Sequence, residues 1–244
     1  MLTTRSRPRL WIPLTTGVGV FALVTIAGLL IVASPMWSAT EVQIVAWVQG
    51  GSNGFLDVVA TTINTVFGPS GAPLVGLTAV AWVMLLSRSW RPALRFAVVL
   101  VVPWAAAEVL KAIVQRPRPD SALLQPMIVP DPVTFSYPSG HTAFAAALCC
   151  ALLFVVVRTR WALAASVSVL VVLMTAWSRV YLGVHYPTDV LASMVAVPAV
   201  AFLAYGLIGR VPGISGRRAA DGDGAGGGVD RAPAVNGPGT TPAS

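Results

Sequence analysis

Charge is what this sequence has least of. Asp, Glu, Lys and Arg make up 10 % of its 244 residues, at a mean hydropathy of +0.77, where soluble domains carry about a quarter. So few charges cannot cover a water-facing surface, which excludes an ordinary soluble fold and points to a bilayer as the solvent. Cysteine is scarce too. Cys149 and Cys150 are neighbours in an apolar run, where they cannot readily pair with each other and have no metal-ligand spacing. They read as small core residues. Histidine occurs only at 141 and 185, and lysine only at 111.

What the sequence does have is long apolar runs. A transmembrane helix needs about 17 to 25 mostly apolar residues, and six segments qualify: 11–33, 70–86, 92–115, 141–157, 161–177 and 189–208. A membrane barrel would need short alternating segments, whereas FALVTIAGLLIVA is continuously apolar. The first run follows Arg5, Arg7 and Arg9, but it exceeds the roughly 7 to 15 apolar residues of a secretory signal. The expected fold is therefore all-α, a polytopic bundle of six transmembrane helices. Residues 1–10 form a cytoplasmic N-terminus, 11–210 the membrane domain, and 211–244 a disordered cytoplasmic tail rich in Gly, Pro and Ala. Residues 55–67 have apolar positions at helical spacing with Asp57 and Asn64 opposite, which suits a short helix on the outer interface.

A pI near 10.4 does not imply nucleic acid, because the basic residues are scattered between apolar runs and form no stripe. They instead orient the chain. With the N-terminus inside, Arg5, Arg7, Arg9, Arg88, Arg91, Arg95, Arg158, Arg160, Arg210, Arg217, Arg218 and Arg231 all fall on the cytoplasmic side, as short cytoplasmic loops require. Lys111, Arg116, Arg118 and Arg179 fall on the other side, together with both histidines and Asp189.

Three clusters collect there. In KAIVQRPRP, Lys111 and Arg118 are about two helical turns apart, so both can project from one side of a helix end that unwinds at the prolines. In PSGH, Ser139 suits the N-cap of the following apolar helix. Gly140 leaves room for a ligand oxygen, and the free amides there face the positive end of a helix dipole. In SRVYLGVHYPTD, His185 and Asp189 are adjacent on a helix face if the helix begins near Tyr186 and Pro187. An Asp so placed accepts one imidazole proton and leaves the other nitrogen nucleophilic. His141, at a second helix start, suits a proton donor. Lys111, Arg118 and Arg179 on one pocket would repel one another without an anion between them, and a phosphoryl group matches guanidinium forks.

Competing readings exist for each residue. Arg116 reads as a loop charge facing lipid headgroups, Lys111 could pair with Glu108 one turn earlier, and Tyr181, Tyr186 and Thr188 read as packing groups.

The pattern K-x6-RP, PSGH and SR-x5-H-x3-D, complete between residues 111 and 189, resembles the type 2 phosphatidic acid phosphatase (PAP2) superfamily. The resemblance implies a phosphohistidine on His185, support from Asp189, and protonation of the leaving group by His141. Lys111, Arg118, Ser139, Gly140 and Arg179 would bind the phosphoryl oxygens, with no metal or other cofactor. Vanadium haloperoxidases share the pattern on soluble helical scaffolds, so the six spans favour a lipid phosphatase of the cell membrane. Its site would lie outside the cytoplasmic leaflet and its substrate would be a phosphatidate, phosphatidylglycerophosphate or polyprenyl diphosphate. A lipid phosphotransferase or a noncatalytic lipid-phosphate transporter is the alternative; no oligomeric state is assigned.

Overall fold

The computed structural model describes residues 10–214 apart from 131 and 158, and the secondary structure among them is entirely helical. Eight α-helices follow one another: α1 Trp11–Val32, α2 Pro35–Gln49, α3 Gly54–Phe67, α4 Gly71–Ser87, α5 Trp90–Val114, α6 Gly140–Ala151, α7 Trp161–Tyr181 and α8 Pro187–Ile208. A π turn, Leu152–Val156, extends α6. Helices are the natural outcome in lipid, where every backbone N–H and C=O must find its partner within the chain.

Each expected apolar segment coincides with one helix, but the six-span count is not reproduced. Among the described residues, α1, α5, α7 and α8 are long and apolar enough to cross a bilayer, at 22, 25, 21 and 22 residues. A fifth crossing arises only if α3 and α4, bent by 62° at their junction, count as one. Gly140–Val156 is shorter. Hydropathy cannot tell a side chain that faces lipid from one that faces protein, and α6 is the case in point. Its Ala143, Ala145, Ala146, Ala147 and Ala151 are buried against α5, α7 and α8. Small side chains let the surrounding helices come close.

Phe144 of α6 anchors this core, meeting Trp104 of α5 edge-on at 5.3 Å and Phe67 of α3 at 6.2 Å. Trp177 of α7 packs on Tyr181 one turn later, ring to ring at 4.8 Å. On the far side α1 lies along α8, where Gly17 sits so close to Leu203 that a Cβ there would approach to 2.7 Å. Cys149 and Cys150 are buried and unpaired in α6, as expected.

Two elements depart from expectation in ways that shape the site. The helix α2 was not anticipated, because Glu41, Gln43 and Gln49 keep its hydropathy low; Glu41 and Gln49 are nevertheless buried. The helix α3 is amphipathic as expected, but its polar side turns inward. Asp57 accepts a hydrogen bond from Tyr181 and Asn64 one from Arg179, both of α7, while Phe55 and Val58 are exposed.

The basic residues sort by helix end as read from the sequence: Arg91 and Arg95 open α5 and Lys111 lies in its last turn, and Arg179 lies in the last turn of α7, which Arg160 precedes. Arg5, Arg7, Arg9, Arg158, Arg217, Arg218 and Arg231, with the expected N-terminus and most of the expected tail, lie outside the described residues.

Candidate active site at the paired helix starts

The starts of α6 and α8 are tied together. Ser139 caps α6 with its hydroxyl oxygen, which accepts from the Thr142 amide at 3.4 Å and the Thr142 hydroxyl at 3.2 Å. Its amide donates to the Asp189 carbonyl at 3.1 Å, and the Ser193 hydroxyl donates to the Ser139 carbonyl at 2.8 Å. His141 and His185 therefore lie at the same end of the bundle. The charged or chargeable neighbours of His141 are Arg179, His185 and Lys111.

The helix α8 starts where the sequence suggested, at Pro187 with Tyr186 as its N-cap. His185 consequently precedes the helix instead of sharing a face with Asp189. The pair still forms, with His185 Nδ1 3.4 Å from Asp189 Oδ2. That oxygen also accepts from the Tyr186 amide at 2.9 Å. The other ring nitrogen, Nε2, lies 3.2 Å from Arg118 Nη1. A guanidinium only donates and a carboxylate only accepts, so the arrangement selects the tautomer with its proton on Nδ1 and its lone pair on Nε2. Burial first, then Arg118, Arg179 and Lys111, push the His185 pKa well below its ordinary 6.5, against a hydrogen bond that the ring donates to the Ser136 backbone. The imidazole is thus held neutral.

Arg118 is not on the same helix face as Lys111. The helix α5 stops at Val114, and Gln115 turns left-handed at φ 52°, so the chain leaves before the prolines. Arg118 is held in the following loop by the carbonyls of Thr134, Phe135 and Val184 and the Thr134 hydroxyl. Lys111 does pair with Glu108, at 3.3 Å. Both stand over Gly140, where a Cβ would lie 3.0 Å from Glu108 Oε1 and 3.3 Å from Lys111 Nζ. Glycine is what keeps that space open.

Arg179 is 2 % exposed. Its Nη1 donates to Asn64 Oδ1 at 2.8 Å and its Nε to Ser178 Oγ at 3.3 Å. Its Nη2 is buried without a partner, as is His141 Nε2. Buried polar atoms are seldom left unpaired, and these two lie at one end of the bundle.

Arg116 overturns its reading as a headgroup-facing charge. It is 1 % exposed and forks between two carboxylates, with Nη1 2.7 Å from Asp189 Oδ1 and Nη2 2.7 Å from Glu41 Oε2. The Tyr186 ring lies 3.8 Å beneath it. Thr188, read as packing, accepts from Arg116 at 2.8 Å and donates from both its amide and its hydroxyl to Glu41, each at 2.8 Å. Glu41, Asn64 and Thr188 escaped the sequence reading because nothing local marks them; only the packing of α2 and α3 brings the first two here. Among the described residues no group of three or more His, Cys, Asp or Glu could hold a metal ion.

This is a multi-pass membrane protein with a cationic site fitted with a neutral, oriented imidazole. A family model described as the PAP2 superfamily matches residues 92–211, the part of the chain that carries Lys111, Arg118, PSGH, Arg179, His185 and Asp189. The chain is 29 % identical over 135 residues to an undecaprenyl-diphosphatase of Sulfolobus acidocaldarius, a match covering 54 % of this chain and 63 % of that protein. It is 38 % identical over 88 residues to undecaprenyl-diphosphatase BcrC of Bacillus subtilis, covering 36 % and 43 %. Less than two thirds of either relative is spanned. The crystal structure of a transmembrane PAP2 type phosphatidylglycerolphosphate phosphatase from Bacillus subtilis superimposes with a TM-score of 0.67 at 23 % identity, covering 79 % of this chain and 96 % of that one. At that identity the likeness concerns the fold.

Proposed function

We propose that the chain hydrolyses a lipid phosphate or diphosphate, with His185 as nucleophile, at a site on the outer side of the membrane. The observation that carries this reading is the tautomer of His185: its Nε2 lone pair is fixed by Asp189 on one side and presented to a guanidinium on the other.

In the first step Nε2 attacks phosphorus and the bond from phosphorus to the bridging oxygen breaks. His141, whose neighbours Arg179 and Lys111 are cations, takes up a proton as the phosphate anion binds, and its Nε2, unpartnered in the free protein, gives that proton to the departing oxygen. In the second step water attacks the phosphohistidine, the P–N bond breaks, and His141 recovers a proton from the water. Lys111, Arg118 and Arg179 bind the phosphoryl oxygens, joined by the Ser139 hydroxyl, whose proton is free to donate because its oxygen is the acceptor in the cap, and by the amide end of α6 at Gly140. Charge spreads over those oxygens in the transition state, so fixed cations supply most of the catalysis. The scheme assigns no step to a metal.

The undecaprenyl diphosphatases among the relatives favour a polyprenyl diphosphate as substrate, its head group in the site and its chain in lipid. The test is phosphate release by the purified protein in detergent from polyprenyl diphosphate, phosphatidate and phosphatidylglycerophosphate, with chelator present. Polyprenyl diphosphate should be preferred, release should survive chelation, and His185→Ala should abolish it. Turnover retained by His185→Ala removes the nucleophile assignment; transfer of the phosphoryl group to an added alcohol in place of phosphate release identifies a phosphotransferase.

A further inference from the structure

The Asp189 carboxylate is restrained at both oxygens. Oδ2 faces the imidazole and takes the Tyr186 amide, and Oδ1 takes Arg116. An arginine in that position has two opposed effects. It fixes the plane of the carboxylate, and it cancels the negative charge that makes the carboxylate useful to a histidine about to become cationic.

The structure contains a remedy for the second effect. Arg116 does not stop at Asp189. Its other fork reaches Glu41, a residue of α2 that is 4 % exposed and whose two oxygens are taken by Arg116 and by the amide and hydroxyl of Thr188. Carboxylate, guanidinium and carboxylate in a row sum to one negative charge, delivered at the His185 end. A buried ion pair is seldom retained for stability alone, since its desolvation offsets most of its attraction. Here a buried acid has been recruited from α2, whose Ser38 hydroxyl also accepts from Arg116 Nη2 at 3.1 Å.

We propose that Arg116 and Glu41 are positioning residues of the active site: they act through Asp189, the first by fixing its carboxylate against His185 and the second by restoring the negative charge that Arg116 removes. This rests on the assignment of His185 as nucleophile. The other charged or titratable groups facing His185 are Arg118, Arg179, Lys111 and His141, none of them acidic, so Asp189 supplies the opposing negative charge and Glu41 preserves it.

Charge and geometry separate in the test, which measures phosphate release by the full chain in detergent across pH. Glu41→Gln keeps the shape and removes the charge. It should lower kcat about tenfold, leave KM within about threefold, and shift the acid limb of kcat/KM to lower pH, because the imidazolium has lost support. Glu41→Asp should recover part of both. Arg116→Lys keeps the charge but cannot fork between two carboxylates, so it should lower kcat with the acid limb in place. Should Glu41→Gln not yield folded protein, the double variant Glu41→Gln with Arg116→Gln, which removes both charges together and leaves the sum at one negative charge, should lower kcat with the acid limb in place, and a limb displaced there overturns the inference. The inference is overturned if Glu41→Gln alone leaves kcat and the limb where they were, or lowers kcat without moving the limb. His185→Ala, run alongside, separates the two failures: residual turnover there sinks the nucleophile assignment, whereas a dead His185→Ala beside an unchanged Glu41→Gln sinks only the relay.

Discussion

At the residue scale the decisive property is the protonation of His185. A nucleophile must be neutral, and burial together with Arg118, Arg179 and Lys111 holds this imidazole well below its ordinary 6.5. The acid limb of kcat/KM belonging to the free enzyme should therefore lie below pH 6.5, where an unperturbed histidine would already be half protonated. A limb at or above that value, measured on a substrate whose own ionisation is complete, contradicts the geometry. The same shift has a sign for stability. The unfolded chain takes up this proton more readily than the folded one, so the folded state loses stability as pH falls through 6.5 and regains it above. Thermal unfolding in detergent between pH 7.5 and 5.5 measures this, and His185→Gln should lessen the slope of that part of the profile. Arg179 offers a second residue-scale prediction. Asn64 orients its Nη1 while Nη2 waits unpartnered, so Asn64→Ala should lower kcat/KM about tenfold, the worth of one charge-assisted hydrogen bond. Steady-state kinetics on the best lipid substrate checks it.

At the scale of elements, the site exists because several segments are held where their own sequences do not send them. The loop before Ser139 is pinned to α1 by Tyr137, whose hydroxyl donates to the Val24 carbonyl at 2.7 Å. Gly28 of the same helix leaves room for the ring, since a Cβ there would lie 2.6 Å from it. Two effects compete in Gly28→Ala. Helix propensity favours alanine by about 1 kcal/mol, whereas crowding a packed interior costs about 1 to 3 kcal/mol. The ring is buried and hydrogen-bonded, so it has little freedom to yield, and the steric cost wins. Gly28→Ala should unfold at lower temperature than the parent and lose activity through displacement of PSGH, as melting curves and phosphate release on the same preparation would record. The ends of these elements were largely legible: the cap at Ser139 and the start of α8 at Pro187 follow from side-chain chemistry within a few residues. The end of α5 was legible too, 115 expected against Val114 found, but not the left-handed turn at Gln115 that carries Arg118 off the helix face of Lys111.

At the scale of the whole molecule, the two sets of basic residues occupy opposite helix ends, and from the positive-inside rule we propose that the site faces outward. The buried Cys149 and Cys150 permit a direct check after both are replaced by alanine. A cysteine at Ile128, half exposed in the loop between α5 and α6, should react with a membrane-impermeant thiol reagent in intact cells. A cysteine at Arg91 should react only after permeabilisation. The reverse pattern would place the site in the cytoplasm and overturn the orientation. The number of crossings belongs to this scale as well, since α6 shows how an apolar helix can face protein on most sides.

What the sequence determined unaided was whatever depends on composition and on neighbours along the chain. That includes the helical membrane class, the apolar segments, the two helix starts that present PSGH and His185, and the identity of the residues that gather at one end. Those features follow from local physics: apolar length, caps, proline placement and charge asymmetry. Only the tertiary structure decided how the residues are used. It turned Arg116 from a headgroup contact into the link between two buried carboxylates, brought Glu41 from an unanticipated helix, and faced Asn64 inward. The physical reason is that burial and ion pairing are properties of three-dimensional neighbours, and a lone charge in a sequence carries no record of which distant helix will desolvate and neutralise it.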